Sequence, residues 1–258
     1  ISCIAVDVKL PTGKRRSAAE YCGVIDALLS EALDATADLD GGVVAAWRDG
    51  VRLERTYQRS AAQTPRPFPL RRGGVVLITG GLGGIGLTIA RQLHESVASR
   101  LVLITRTDRV EGLAELRASG ADVTVLHADV TNIARMRDVI TEIRHTLGGL
   151  HGVVHAAGVM DDRPLLEKEQ LDIERVLAAK VYGTLVLHEL TRDIPLDMFV
   201  VFSSTSVITG PAGQLDYVAA NAFLESFAHS RPGRVTAISW GAWADTGMAL
   251  KSVRRLLD

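Results

Sequence analysis

Six short apolar runs punctuate the chain from residue 75 onward: Val75–Thr79, Leu101–Thr105, Val123–Ala128, Val153–Ala157, Phe199–Ser203 and Val235–Trp240. Helix-length segments separate them, and no other feature restricts the fold so tightly. A run that is apolar on both faces has no side to give to water, so it belongs in a sheet covered above and below. Helical connections between such runs force neighbouring strands parallel. The expected fold class is α/β, a doubly wound parallel sheet. Ligands of such sheets bind beyond the carboxyl ends of the strands, so the residues just after each run are the place to look for chemistry.

The first 66 residues have another rhythm. Ile4, Val6 and Val8 alternate at the strand period, and Val24, Ile25, Leu28 and Leu29 recur at helical spacing within 17–33. The segments Val43–Trp47 and Val51–Tyr57 flank Arg48-Asp49-Gly50, where Asp-Gly supplies the positive φ of a tight hairpin. Three alternating prolines in Gln63–Pro69 prevent both helix and central strand, which marks a linker. We therefore divide the chain into 1–66, too short for a strong core of its own, and 67–258. Because the chain opens inside what already reads as a strand, it is expected to be a piece of something longer.

With 258 residues, 47% of them apolar, the chain can bury one large α/β domain plus a small appendage. A net charge of −1, with acidic residues interleaved among the arginines, offers no electrostatic footprint for nucleic acid or a membrane surface. Cys3 and Cys22 are the only cysteines and have no metal-ligand spacing, so two thiols in a reducing cytoplasm are expected, with no metal. No apolar run approaches the roughly 20 residues of a membrane span.

Directly after the first run come Thr79, Gly80, Gly81, Leu82, Gly83, Gly84, Ile85 and Gly86, then the apolar helix Leu87–Leu93. Glycines at this place let the chain turn sharply and bring backbone N–H groups against a pyrophosphate at a helix N-terminus. The spacing Thr-Gly-x-x-x-Gly-x-Gly resembles the fingerprint of short-chain dehydrogenases/reductases. The resemblance implies that Asp129-Val130, after the third run, contacts the adenine, and that Ala156, Ala157 and Gly158, after the fourth, lie against the cofactor ribose. Asp129 has a second reading as a helix cap, for which Thr131 and Asn132 compete. His155 reads as a packed core residue. At the end of the second run Arg106 suits a 2′-phosphate, whereas a 2′-hydroxyl calls for a carboxylate, for which Asp108 is the nearest candidate. The cofactor expected is NADPH.

Short-chain reductases usually set tyrosine and lysine four apart on one helix, but Tyr217 is followed by Asn221, and Lys180 stands where the ordinary member has asparagine. That exchange is similar to the ketoreductase domains of modular type I polyketide synthases. So are Thr-Gly-Gly-Leu-Gly-Gly-Ile-Gly at 79–86, His-Ala-Ala-Gly-Val at 155–159, Phe-Ser-Ser at 202–204, Tyr-Val-Ala-Ala-Asn-Ala-Phe-Leu at 217–224 and Trp-Gly-Ala-Trp-Ala at 240–244. The resemblance implies that Tyr217 donates a proton to a ketone oxygen, Lys180 stabilises the phenolate, Ser204 holds the carbonyl, with Ser203 its rival, and Asn221 holds a relay water or the Lys180 ammonium. It makes 1–66 a truncated Rossmann-like structural subdomain that braces the catalytic one.

Met160-Asp161-Asp162 stands where one stereochemical class carries Leu-Asp-Asp, and Thr209 stands where the other has tryptophan. The resemblance thus implies a D-configured hydroxyl, with Asp162, Met160, Gln214 and Met248 on the substrate side. The implied substrate is a β-ketoacyl thioester on the phosphopantetheine arm of an acyl carrier protein, and the other partners are domains of the same synthase. Ala228–Gly233 and the segment after Gly247-Met248 are short for this family, whose members usually form a substrate lid after the latter. A fatty-acid-type β-ketoacyl reductase and a redox-silent, epimerising or structural domain remain the alternatives.

Overall fold

A computed structural model describes residues 4–8, 22–26, 28–30, 43–54, 56–59, 68–107, 112–231 and 233–247. The chain divides into two compact units, Ile1–Arg66 and Pro67–Asp258.

In the first unit, β1 (Ile4–Val8) pairs in parallel with β2 (Val43–Arg48), which pairs antiparallel with β3 (Val51–Glu54). Asp49 and Gly50 both take positive φ, 52° and 79°, the geometry a two-residue hairpin turn demands. The strand β3 ends earlier than its apolar alternation suggests, at the Glu54–Ala45 pair, and Tyr57 beyond it is exposed. Residues 22–26 and 28–30 are helical, with Ile25, Leu28 and Leu29 exposed.

In the second unit β4 (Val75–Thr79), α1 (Gly84–Val97), β5 (Arg100–Thr105), α2 (Leu113–Ala118), β6 (Val123–His127), α3 (Ile133–Thr146) and β7 (Gly152–His155) alternate. There follow α4 (Gln170–Leu177), a π-helical turn at Ala178–Tyr182, α5 (Gly183–Thr191), β8 (Met198–Ser204), α6 (Ser206–Thr209), α7 (Leu215–His229) and β9 (Thr236–Trp240). The six strands are all parallel in the order β6-β5-β4-β7-β8-β9. Counted from β4 as first, this is the 3-2-1-4-5-6 order of dinucleotide-binding sheets, whose crevice opens between the first and fourth strands.

Alternation within β4 shows why the runs are apolar throughout. Val75 and Leu77 join a core with Met136 and Val139 of α3, Leu187 of α5 and Leu224 and Phe227 of α7. Val76 and Ile78 join the opposite core with Ala90 and Leu93 of α1 and Leu113 and Leu116 of α2. Each such side chain, fully buried, contributes about 1.5–3 kcal/mol. The edge strands β6 and β9 have only half-buried or exposed positions. Among the described residues no helix is long and apolar enough to cross a membrane.

Candidate functional site

The glycine segment forms the turn from β4 into α1. Gly80 sits at φ 65°, and a Cβ there would come within 2.9 Å of the Ala157 backbone, so only glycine lets the ends of β4 and β7 approach. On Gly86 a Cβ would overlap the Gly80 carbonyl oxygen, and on Gly84 it would overlap Thr246 Oγ1. The helix α1 begins earlier than its apolar pattern suggests, inside the glycine cluster with Gly83 as its cap. Its first turn carries neither a capping side chain nor an acidic residue. The unpaired N–H groups of that turn and the positive end of the helix dipole therefore face the cleft uncompensated.

That cleft, of ≈ 630 Å³, is lined by Thr79, Gly80, Leu82, Gly83, Gly84, Ile85 and Gly86, by Arg106, Asp129 and Val130, and by Ala156, Ala157 and Gly158. Its size suits a cofactor, and an uncapped helix N-terminus reached through close-packed glycines fits a dinucleotide pyrophosphate. Gly81 departs from expectation. It turns away from the cleft onto β5, where a Cβ would press on Leu103. Ala156 and Ala157, read as strand, lie beyond the end of β7 and floor the cleft. Thr246 and Gly247 also line it and escaped the sequence reading. Their signal was position alone, since they follow the carboxyl end of β9.

At the rim, Arg106 Nη1 lies 3.4 Å from Asp129 Oδ2, an exposed pair with 59% and 41% of the two side chains accessible. Asp129 Oδ1 accepts from Thr131 N and Oγ1 at 2.9 and 2.7 Å. These bonds and Arg106 outweigh partial burial and draw its carboxyl below the usual range, so Asp129 is an anion. The cap of α3 is Asn132, which accepts from Arg135 N. Asp108 and Met248 lie outside the described residues. His155 is packed as read: Thr79 Oγ1 meets its Nδ1 at 2.6 Å, and burial with the nearby Lys180 pushes it down to about 3, which keeps it neutral.

Tyr217 is in the first turn of α7, and Asn221 follows one turn later. Ser203 and Ser204 end β8, and Lys180 projects from the π-turn. The extra residue in a π-turn rotates the side chains that follow, a device frequent at functional sites. Lys180 is 4% exposed, donates from Nζ to the Phe202 carbonyl at 2.7 Å, and lies 5.4 Å from the Tyr217 ring centroid. Burial alone lowers its ammonium to about 8. Burial raises the Tyr217 phenol, as does the charge of Asp162, while the polar side chains of Asn221 and Ser204 draw it back.

Ser203 is separated from this group. Its one hydroxyl proton is shared between Glu225 Oε1 at 3.0 Å and the Asn221 carbonyl at 3.3 Å, under α7. Ser204 Oγ accepts from Ser206 N at 3.1 Å. Asn221 does not hold the Lys180 ammonium. Its Nδ2 donates to the Tyr217 carbonyl at 2.7 Å, because that carbonyl lies one helical turn back on the same face. Its buried Oδ1 has no partner among the described residues. On the far side of Tyr217, Gln214 Nε2 donates to Asp162 Oδ2 at 3.2 Å and approaches Met160 Sδ at 3.7 Å, which gathers the three described substrate-side residues.

A larger apolar cavity, ≈ 950 Å³, has Leu93, Phe199, Val235 and Ile238 in its wall. The glycine loop, Arg106 and Asp129, which line the smaller cleft, do not line it. Volume is the weaker guide here, because convergent polar groups mark the other cleft.

The KR domain family model matches residues 74–245. The chain is 36% identical over 194 residues to polyketide synthase PksN of Bacillus subtilis (strain 168), covering 70% of this chain and 4% of that protein. It is 39% identical over 187 residues to the mycocerosic acid synthase-like polyketide synthase of Mycobacterium tuberculosis (strain ATCC 25618 / H37Rv), covering 70% and 9%. Among solved structures it is similar to PlmKR1, the ketoreductase from the first module of phoslactomycin biosynthesis in Streptomyces sp. HK803. That similarity has TM-score 0.79 at 33% identity and covers 98% of this chain and 57% of that one. The chain thus spans a small part of the synthases it matches.

Proposed function

Because the chain belongs to the ketoreductase domains of modular polyketide synthases, within the short-chain dehydrogenase/reductase superfamily, we propose that it reduces a β-ketoacyl thioester on an acyl carrier protein, using NADPH, to a D-configured β-hydroxyacyl thioester. The observation that carries this reading is the convergence of Tyr217, Ser204, Lys180 and Asn221, with Lys180 directly after Ala179 of the glycine-lined cleft's wall.

When bound, NADPH supplies the hydride that reaches the ketone carbon. Tyr217, held protonated by burial, supplies the proton that the ketone oxygen takes up. Ser204 hydrogen-bonds the same oxygen and keeps it in reach of the phenol. Lys180, 5.4 Å from the ring, favours the phenolate by charge. Asn221 Oδ1 is the acceptor for a relay water that returns a proton to Tyr217. Gly80 and Gly83–Gly86 seat the pyrophosphate, Arg106 takes the 2′-phosphate, and Asp129 with Val130 borders the adenine. Ala156–Gly158 border the ribose, and Thr246 borders the same cleft from the β9 side.

Asp162, joined to Gln214 and close enough for its charge to act on Tyr217, supports the D-type outcome. Residues 1–66 serve as a structural subdomain, and the acyl carrier protein and the synthase's other domains are partners of a cytoplasmic assembly line. Retention of Tyr217, Ser204, Lys180 and Asn221 together favours this reading over a redox-silent domain.

The test is absorbance-followed NADPH oxidation by the purified chain with a short β-ketoacyl thioester, with NADH in parallel. Turnover that prefers NADPH and a D-configured product are expected. Tyr217→Phe should lower kcat by about 10²–10⁴ with NADPH affinity kept. NADPH binding without turnover would establish the silent-domain reading instead.

A further inference from the structure

Lys168 belongs to none of the motifs in the sequence, yet its side chain is fully enclosed. It follows the 3₁₀ turn Leu165–Glu167, and its Nζ donates to Asp216 Oδ2 at 2.8 Å and to the Asp161 carbonyl at 2.5 Å. The two charged side chains are 0% and 1% exposed. The other oxygen of Asp216 accepts from the backbone N–H of Tyr217 at 2.9 Å. One buried ammonium therefore joins the segment that carries Asp162 to the residue preceding the candidate proton donor.

We propose that Lys168 is a positioning residue, which fixes the 160–163 segment against the first turn of α7 so that Asp162 and Tyr217 keep one register across the substrate space. This inference rests on the ketoreductase reading. It names a determinant of selectivity for the same site.

Other contacts reach the same segment, and their exposure decides which one dominates. Arg163 grips Asp161 through two 3.1 Å bonds and Asp172 through a third, but 44% of its side chain faces solvent. Gln214 reaches Asp162 at the surface, and Arg163 N donates to the Gly213 carbonyl at 3.1 Å. Solvent and salt screen the Arg163 ion pairs, water competes for the exposed Gln214–Asp162 bond, and the one neutral Arg163 N–Gly213 bond specifies geometry less sharply than a buried ion pair. The Lys168 ammonium has no water to turn to, so losing either acceptor leaves its charge stranded, and its geometry is sharply specified. Its three N–H bonds point outward from one centre. Two of them bind groups 55 positions apart in the chain, which is how a single side chain sets a relative register.

A buried ion pair is by itself weak evidence for stability, since an uncharged pair of similar volume often serves as well. That fact separates positioning from bulk support. In Lys168→Met/Asp216→Asn the charges vanish together and the acceptor for Tyr217 N–H is kept, so the chain has no stranded charge to unfold it. The tether to the Asp161 carbonyl is gone.

Three quantities are measured on the whole chain and on this double variant. They are amide hydrogen exchange over 160–163 without any ligand, NADPH affinity, and the configuration of the alcohol formed from a short β-ketoacyl thioester. We expect exchange over 160–163 to quicken at least tenfold, with the glycine segment 80–86 unchanged. NADPH affinity should stay within twofold. The minor alcohol enantiomer should rise at least fivefold, and kcat should fall more than KM rises. Unchanged exchange with an unchanged enantiomer ratio overturns the inference. A quickened exchange with wild-type selectivity also overturns it, because the tether would then be structural only. If the unaltered chain oxidises no NADPH, the ketoreductase reading fails and the selectivity role fails with it, while the exchange result still judges the tether.

Discussion

Replacing Lys180 with methionine should make the protein more stable and nearly inactive. Burial lowers the ammonium from its ordinary 10.5 to about 8. At about 1.4 kcal/mol per pH unit, holding that charge inside costs roughly 3 kcal/mol whenever both folded and unfolded chains are protonated. Methionine keeps the length and apolar stem without the charge. It forfeits the bond to the Phe202 carbonyl, which is worth about 1–2 kcal/mol. The net gain is about 1–2 kcal/mol at neutral pH, or about 2–8 °C in Tm. The gain has a defined pH window. Below about 8 it is complete, because Lys180 is charged in both states. Between about 8 and 10.5 the folded wild type has shed a proton that its unfolded chain retains, so wild-type stability climbs with pH and the advantage of Lys180→Met disappears. Thermal melts of both proteins without ligand, at pH 7, 8.5 and 10, measure this directly. At pH 7 kcat should fall by about 10²–10⁴, since the phenolate of Tyr217 loses its cation. A variant less stable than wild type at pH 7, or a stability difference indifferent to pH, would refute the reasoning.

Three further substitutions probe the cleft and the strand end. Gly86→Ala places a methyl on the Gly80 carbonyl oxygen, and overpacking costs about 1–3 kcal/mol, so NADPH Kd by fluorescence titration should rise about tenfold or more. Arg106→Ala should raise KM for NADPH about tenfold, as one exposed charge-assisted contact is lost, and leave KM for NADH within about twofold. Ser204→Ala should lower kcat about tenfold or more. Ser203→Ala should instead lose about 1 kcal/mol in denaturant melts, because it strips a hydroxyl from Glu225 and Asn221, and keep most of kcat.

That last contrast shows where the sequence was legible and where it was not. The sheet could be read because each strand declares itself locally, through an unbroken apolar run with helical periodicity on either side. The choice of Ser204 over Ser203, implied by the family's spacing to Tyr217, was open to the sequence through parity as well. Phe199 and Val201 alternate into the core beneath α7, so Ser203, two further on, must follow them there. Gly81 failed a similar test, since a cluster of glycines does not say which member backs onto a neighbouring strand. Thr246 came to the cleft from the far end of the chain, on a segment with no periodicity of its own. Lys168 and Asp216 were illegible for a stronger reason. Their pairing depends on how two segments 48 residues apart dock, and a lone lysine or aspartate in sequence is most often a solvated surface group.

The two buried lysines have different duties because their surroundings differ. Lys168 faces the Asp216 carboxylate at 2.8 Å, so its field is cancelled within a few ångströms and little is left for a third group. Lys180 faces a carbonyl dipole, and among the described residues no carboxylate lies within ion-pair distance of it. On the proposed reading, negative charge developing on the Tyr217 oxygen is what satisfies Lys180. The strain of burying it unpaired and its help to the phenolate are one electrostatic energy at two stages of the reaction. Removing each lysine alone should therefore have opposite effects on folding. Lys180→Met relieves an unpaired charge and should melt higher than wild type. Lys168→Met strands Asp216, and breaking a buried pair in this way costs about 3–5 kcal/mol, so it should melt well below wild type. Both lose activity, but restoring neutrality with Asp216→Asn rescues the stability of Lys168→Met alone. Melting shifts of the same sign in the two single variants would mean that both lysines are merely structural, and the charge assignment of the site would fall.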